Sequence, residues 1–103
     1  MKPIRLILAD DQQLFIDGLS ALLAYEKEIE IVGKAGNGME VLDLLGKKLP
    51  DVVVTDIQMP ELNGIELTRE LRYAYPELPV IGLTMFGEDH LIVDMLEAGA
   101  RGY

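Results

Sequence analysis

The chain has no cysteine, no tryptophan, a single histidine (His90), and only 9 Lys plus Arg set against 18 Asp plus Glu. Without cysteine there is no disulfide framework, no thiolate nucleophile and no Cys-based zinc or iron–sulfur site. One histidine leaves a histidine-rich metal centre equally out of reach. The formal charge of −9 works against binding DNA, RNA or an anionic membrane through this segment, because such affinity comes mainly from Lys and Arg that neutralise phosphates. Long apolar runs are also missing, so no membrane span is expected. The run Met1 to Ala9 meets Asp10 and Asp11 too early for a secretory signal, and a soluble cytoplasmic protein is the expectation.

What is present suits one domain. The 103 residues are half hydrophobic, and a chain of this size buries roughly 65% of its unfolded surface on folding. Short apolar runs alternate with longer amphipathic stretches, the α/β signature. Ile4 to Ala9 reads as a strand, and Phe15, Leu19, Leu22 and Leu23 stripe a helix from about Gln13 to Tyr25. Ile29 to Ala35 reads as a strand whose charges at Glu30 and Lys34 suit an edge. A turn at Gly36-Asn37-Gly38, with Asn37 as cap, opens a helix striped by Val41, Leu42, Leu45 and Leu49 that ends before Pro50.

Val52 to Thr55 is nearly all apolar, hence a central strand, and delivers Asp56 at its carboxyl end. Leu67, Leu71 and Ala74 mark a third helix reaching about Tyr75; Val80 to Thr84 is a fourth strand; Leu91, Ile92, Met95 and Leu96 mark a fourth helix capped by Gly99. Gly102 and Tyr103 look like the entry to a fifth strand. Four βα units with right-handed crossovers predict a doubly wound parallel sheet, whose ligands bind at the carboxyl ends of the strands.

Asp10, Asp11, Asp56 and Thr84 collect on that rim. Two carboxylates about 5 Å apart repel by about 3 kcal/mol at an effective dielectric near 20, so three on one rim imply a raised pKa or a bound cation. Oxygen-only ligation favours Mg²⁺, Mn²⁺ or Ca²⁺. Mg²⁺ beside an aspartate suggests phosphoryl chemistry, with the carboxylate attacking phosphorus in line. Asp56, alone at a central strand end, is the best-placed nucleophile, and the adjacent Asp10 and Asp11 suit holding the metal. Each has a plainer role open to it: Asp10 or Asp11 could cap the first helix, Asp56 could form a turn, and Thr84 could be a satisfied strand-end hydroxyl.

The runs Ile7-Leu8-Ala9-Asp10-Asp11, Asp51-Val52-Val53-Val54-Thr55-Asp56-Ile57-Gln58-Met59-Pro60, Asn63-Gly64, Gly82-Leu83-Thr84 and Glu97-Ala98-Gly99-Ala100-Arg101-Gly102-Tyr103 resemble, in order and spacing along the whole chain, the receiver domain of bacterial two-component response regulators. The resemblance implies a flavodoxin-like fold with strand order 2-1-3-4-5, and a sensor histidine kinase that donates a phosphoryl group to Asp56. It implies Mg²⁺ held by Asp11, Asp56 and the backbone carbonyl of Gln58 with Asp10 assisting, Thr84 closing on the phosphoryl group, and Tyr103 as the switch aromatic. Gln12-Gln13-Leu14-Phe15, Gly18-Leu19 and Ala35-Gly36-Asn37-Gly38 look most like receivers that precede a LuxR-type helix-turn-helix output domain. That implies transcriptional output through a DNA-binding domain absent here, with homodimerisation through the fourth-helix side.

The family also places a Lys three residues after the switch aromatic, beyond Tyr103. Lys47 and Lys48, assigned to the second helix, cannot replace it. The expectation is therefore a receiver over residues 1–103 that is C-terminally incomplete, the intact protein continuing through a fifth strand and helix. Without them, strand four would present an open edge flanked by Val80, Ile81 and Leu83. Two other functions compete: a phosphate-independent interaction module, and a haloacid-dehalogenase-type phosphatase, which the amide of Gln58 disfavours where such enzymes place a general-acid Asp. His90, the methionines 39, 85 and 95, and the tyrosines 25, 73 and 75 read as solvated, packing and groove-edge residues respectively.

Overall fold

The computed structural model describes residues 2–83 and 89–102, residues 89–92 by their backbone alone. Eight elements alternate: β1 (Ile4–Ala9), α1 (Gln13–Leu23), β2 (Ile29–Ala35), α2 (Gly38–Leu45), β3 (Val52–Asp56), α3 (Gly64–Ala74), β4 (Val80–Leu83) and α4 (Asp89–Ala98). The strands form one parallel sheet in the order β2-β1-β3-β4. This is the order expected of the flavodoxin-like arrangement, and it leaves the outer edge of β4 for a fifth strand. Gly102 makes a parallel bridge to Ile81 there. Two edge groups of β4 are bonded: the Arg101 N–H donates to the Val80 carbonyl at 2.8 Å, and the Gly82 N–H donates to the Gly102 carbonyl at 2.8 Å.

Successive side chains of a strand point to opposite faces, and the two faces divide the core. Ile7, Ala9, Val53 and Val80 pack with Val41 and Leu45 of α2 and Leu67 and Leu71 of α3. On the other face Phe15, Ile16 and Leu19 of α1 meet Leu8 and Leu83. β3 lies between β1 and β4, as its apolar run predicts, and β2 forms the edge. A bulge at Val32 shifts the β1–β2 register between Leu6 and Ile7. At the opposite end from the acids, Arg5 and Asp51 exchange backbone and side-chain bonds of 2.7 and 2.8 Å that tie the start of β1 to the entry of β3.

Two helices are shorter than their apolar stripes suggest. α1 ends at Leu23, and Leu22 is exposed, because at 100° per residue it lies about 120° round the helix from Ile16, the residue α1 buries. α2 ends at Leu45 with Gly46 as its cap, so Leu49 is exposed and Lys47 and Lys48 lie in the following turn rather than in the helix. On α3, Ala74, expected on the buried stripe with Leu67 and Leu71, is exposed, and Thr68 is buried beside them. Met95 is fully buried, whereas Met39, Tyr25 and Tyr73 stand largely in solvent; Tyr75 packs against the core. Gly99, at φ +120°, ends α4 as expected; the Ala100 N–H reaches back to the Met95 carbonyl at 3.0 Å. No helix among the described residues is long and apolar enough to cross a membrane.

Candidate phosphoacceptor and metal site

β1 and β3 are adjacent and parallel, with Ala9 paired to Thr55, so the residues that follow each strand emerge side by side at the carboxyl edge. Asp10, Asp11 and Asp56 meet there: each offers a carboxylate oxygen, and the three oxygens lie within 4.8 Å of one another. Asp10 is buried, Asp56 half-buried and Asp11 exposed, so the cluster opens to solvent on one side. A cleft of about 490 Å³ adjoins it, lined by Asp11, Ile57, Gln58, Met59, Asn63 and Ile65.

Backbone amides orient the two inner acids. The Gln12 N–H donates to Asp10 Oδ1 at 2.9 Å, an Asx turn that leads the chain into α1. The helix cap itself is Gln12, with no side-chain capping bond, so capping does not account for either acid. The Ile57 N–H donates to Asp56 Oδ1 at 2.8 Å, fixing the plane of that carboxylate.

The charges repel. Burial, and then the neighbouring Asp10 charge, push the Asp56 carboxyl up to about 6, although the Ile57 and Gln58 amides pull the other way. The Asp10 carboxyl is also raised, mainly by burial and in part by Asp11, against the lowering effect of the Gln12 amide. Among the described residues the only ion pair joins Arg5 to Asp51, at the other end of the sheet, and no cationic side chain compensates the cluster. A hard, all-oxygen donor set with one solvent-facing side is what a hexahydrate-preferring dication such as Mg²⁺ requires.

The loop from Ile57 to Asn63 completes the rim. Asn63 caps α3 reciprocally with Glu66, accepting from the Glu66 N–H at 2.9 Å while the Glu66 carboxylate accepts from the Asn63 N–H at 3.2 Å. The Gly64 N–H donates to the Ile57 carbonyl at 2.9 Å. A Cβ at Gly64 would run into the Asp56 carbonyl oxygen, so glycine is required where the loop closes on the strand end. Ile57 is buried with Met95 and Ala100, turning the residue after Asp56 inward while Gln58 faces out.

Asp10, Asp11 and Asp56 are thus brought together as the sequence predicts, and Gln58 lies on the adjoining cleft. Thr84 and Tyr103 lie outside the described residues. Sequence reasoning missed the closures at Gly38 and Gly64. Their signal was readable: Asn37-Gly38-Met39-Glu40 and Asn63-Gly64-Ile65-Glu66 repeat one capping pattern, N-G-x-E, and the Gly of each meets another stretch of backbone.

Comparison with known proteins agrees with this geometry. Residues 6–103 match the family model of the response regulator receiver domain. The chain belongs to that family. Relatives include the transcriptional regulatory protein DegU of Brevibacillus brevis, 38% identical over 97% of this chain and 42% of that protein. The DNA-binding transcriptional activator DevR/DosR of Mycobacterium tuberculosis is 37% identical over 97% of this chain and 46% of its own length. This receiver therefore spans under half the length of the curated relatives it matches, and those relatives are transcriptional regulators. Among solved structures, the receiver domain of the putative response regulator NarL from Mycobacterium tuberculosis superposes with a TM-score of 0.92 at 27% identity, covering 99% of this chain and 82% of that one. The response regulator ChrA of a heme-sensing two-component system is 40% identical with a TM-score of 0.83, covering 100% of this chain and 49% of its own.

Proposed function

We propose that this receiver accepts a phosphoryl group on Asp56 from a phosphohistidine of a sensor kinase and thereby switches an output surface. The observation that carries the reading is the convergence of three carboxylates, with no ion pair to them among the described residues, at the ends of two adjacent strands. One of them, Asp56, accepts from a backbone amide and lies half-buried beside an open cleft that Asp11 lines. In the transfer, an Asp56 carboxylate oxygen forms the new O–P bond while the P–N bond of the phosphohistidine breaks in line, and the imidazole keeps the electron pair and takes up a proton.

Mg²⁺ suits the site. Asp11 and Asp56 would hold it with the Gln58 carbonyl, and Asp10 would support them from its buried position. When bound it supplies positive charge that offsets the negative charge gathered on the transferring group. Without the cation, burial and then the Asp10 charge hold the Asp56 carboxyl above its usual range. Thr84 and Tyr103 would carry the switch, Thr84 by contacting the phosphoryl group and Tyr103 by following it.

Such a domain is an acceptor that loses its phosphoryl group slowly by its own hydrolysis and turns over no external substrate. To move an output surface from 1:99 to 99:1, phosphorylation must favour one packing by about 5.5 kcal/mol. A cytoplasmic setting, transcriptional output through an attached DNA-binding domain, and pairing of two copies on the α4 side belong to the same reading. A monomeric sedimentation profile with and without phosphorylation would count against the pairing.

The test is an intact-mass spectrum before and after incubation with Mg²⁺ and a small acyl-phosphate donor, with Asp56→Asn alongside. A single phosphoryl adduct that needs Mg²⁺ and is missing from the variant is expected. Labelling that survives Asp56→Asn, or no labelling in a folded wild-type chain, would overturn the assignment.

A further inference from the structure

The turn between β2 and α2 touches both halves of the acid site. At one end, the Ala35 carbonyl accepts from the Asp10 N–H at 3.0 Å; at the other, the Gly38 N–H donates to the Leu62 carbonyl at 2.9 Å. The four residues from Ala35, the last of β2, to Gly38, the first of α2, thus connect the strand end that presents Asp10 and Asp11 to the loop that presents Gln58. The turn itself is braced. Asn37 Oδ1 accepts from the Glu40 N–H at 2.9 Å, and the Glu40 carboxylate accepts from the Gly36 N–H at 3.2 Å.

The loop it grips is closed at its other end by the Gly64 N–H on the Ile57 carbonyl. Within it, Glu61 holds a left-handed φ of 63°, a conformation that persists where flanking contacts over-determine it. The grip needs glycine, since a Cβ at Gly38 would stand 2.5 Å from the Leu62 carbonyl oxygen and 2.8 Å from Leu62 Cβ. The carbonyl oxygen is backbone and the Leu62 Cβ moves only with it, so the turn and the loop would have to move apart.

We propose that Gly38 and Leu62 are positioning residues for the metal donors: the β2–α2 turn is a clamp that sets the distance between the Asp10–Asp11 pair and the Gln58 loop. The clamp rests on the Mg²⁺ reading above. It acts without touching the ion, as outer-shell partners do when they cost about tenfold or more in metal affinity on removal.

The experiment is a calorimetric Mg²⁺ titration of wild type, Gly38→Ala, Leu62→Ala and Val41→Ala, each also unfolded in urea without metal. Val41 is fully buried on α2, so its truncation destabilises the same helix while leaving the turn in place. Expected are about tenfold weaker Mg²⁺ binding in Gly38→Ala, a smaller loss in the same direction in Leu62→Ala, and wild-type affinity in folded Val41→Ala. Should Gly38→Ala fail to fold, Leu62→Ala, which keeps the backbone bond and loses only the side chain's hold, decides alone. Wild-type affinity in the clamp variants, or an equal loss in Val41→Ala, would overturn the clamp while the metal reading stands. A folded wild-type chain that takes up no Mg²⁺ would overturn the metal reading and the clamp with it.

Discussion

Replacing Asp56 by asparagine should make the cation-free protein more stable, and the size of the gain follows from the acid cluster. Oxygens of Asp10, Asp11 and Asp56 lie within 4.8 Å of one another, and two unit charges at that separation repel by about 3.5 kcal/mol at an effective dielectric near 20. The shift of the Asp56 carboxyl from 3.8 to about 6, caused first by burial and then by the Asp10 charge, corresponds to about 3 kcal/mol. Solvent reaches this half-buried carboxylate and screens it, which leaves about 1–2 kcal/mol. The folded state binds the Asp56 proton more tightly than the unfolded one, so this group's contribution to stability falls as pH rises from 3.8 to about 6. Above that window the penalty is complete. Asparagine keeps an Oδ1 acceptor for the Ile57 N–H, bonded at 2.8 Å, and removes the charge. Urea unfolding in a metal chelator should therefore find Asp56→Asn about 1–2 kcal/mol more stable than wild type at pH 7.5, with the gap closing toward pH 4. Equal stabilities at pH 7.5, or a gap that does not change with pH, would refute the electrostatic account of the cluster.

Leu71, 1% exposed between α3 and the sheet, should cost about 3 kcal/mol on truncation to alanine; a denaturation midpoint near that of wild type would contradict its place in the core. Gly64→Ala should cost about 1–3 kcal/mol from overpacking against the Asp56 carbonyl and also suppress acyl-phosphate labelling of Asp56, because relief of the clash moves the strand end. Labelling at the wild-type rate in this variant would show that the close approach is not needed.

The strands were legible because their apolar runs are short and bounded by turn residues, and β1 and β2 begin and end where the pattern puts them. Helix ends were less legible, since a stripe reports which side chains face inward and says little about where the backbone stops. α2 shows this: Leu49 keeps the helical spacing from Val41, Leu42 and Leu45, yet Gly46 ends the helix. On α1 the apolar residues outnumber the places on the buried face, so Leu14 and Leu22 are left in solvent. The three acids were legible because they fall at the carboxyl ends of apolar runs that alternate with helices in a parallel sheet. Charges marked β2 as an edge, apolar content marked β3 as central, and the family resemblance implied the full order. The N-G-x-E pattern marks Gly38 as a glycine at a cap, but its partner Leu62 was not legible, because the contact joins two turns distant in sequence that only the packing of α2 beside α3 brings together.

These differences bear on why the acids identify the site. At the helix starts beside the site local preference and global packing agree: Asn37 and Asn63 cap the helices that their sequence patterns announce, and the buried hydroxyl of Thr68 is satisfied by the Gly64 carbonyl at 2.6 Å. At Asp10, Asp11 and Asp56 they disagree, since like charges are gathered where burial raises their cost. A fold under selection for stability alone would relieve such a cluster with one neutral residue. The local conflict is therefore the mark of function. On the proposed reading, a cation brought to this rim would offset the repulsion among Asp10, Asp11 and Asp56 and stabilise their arrangement at the strand ends.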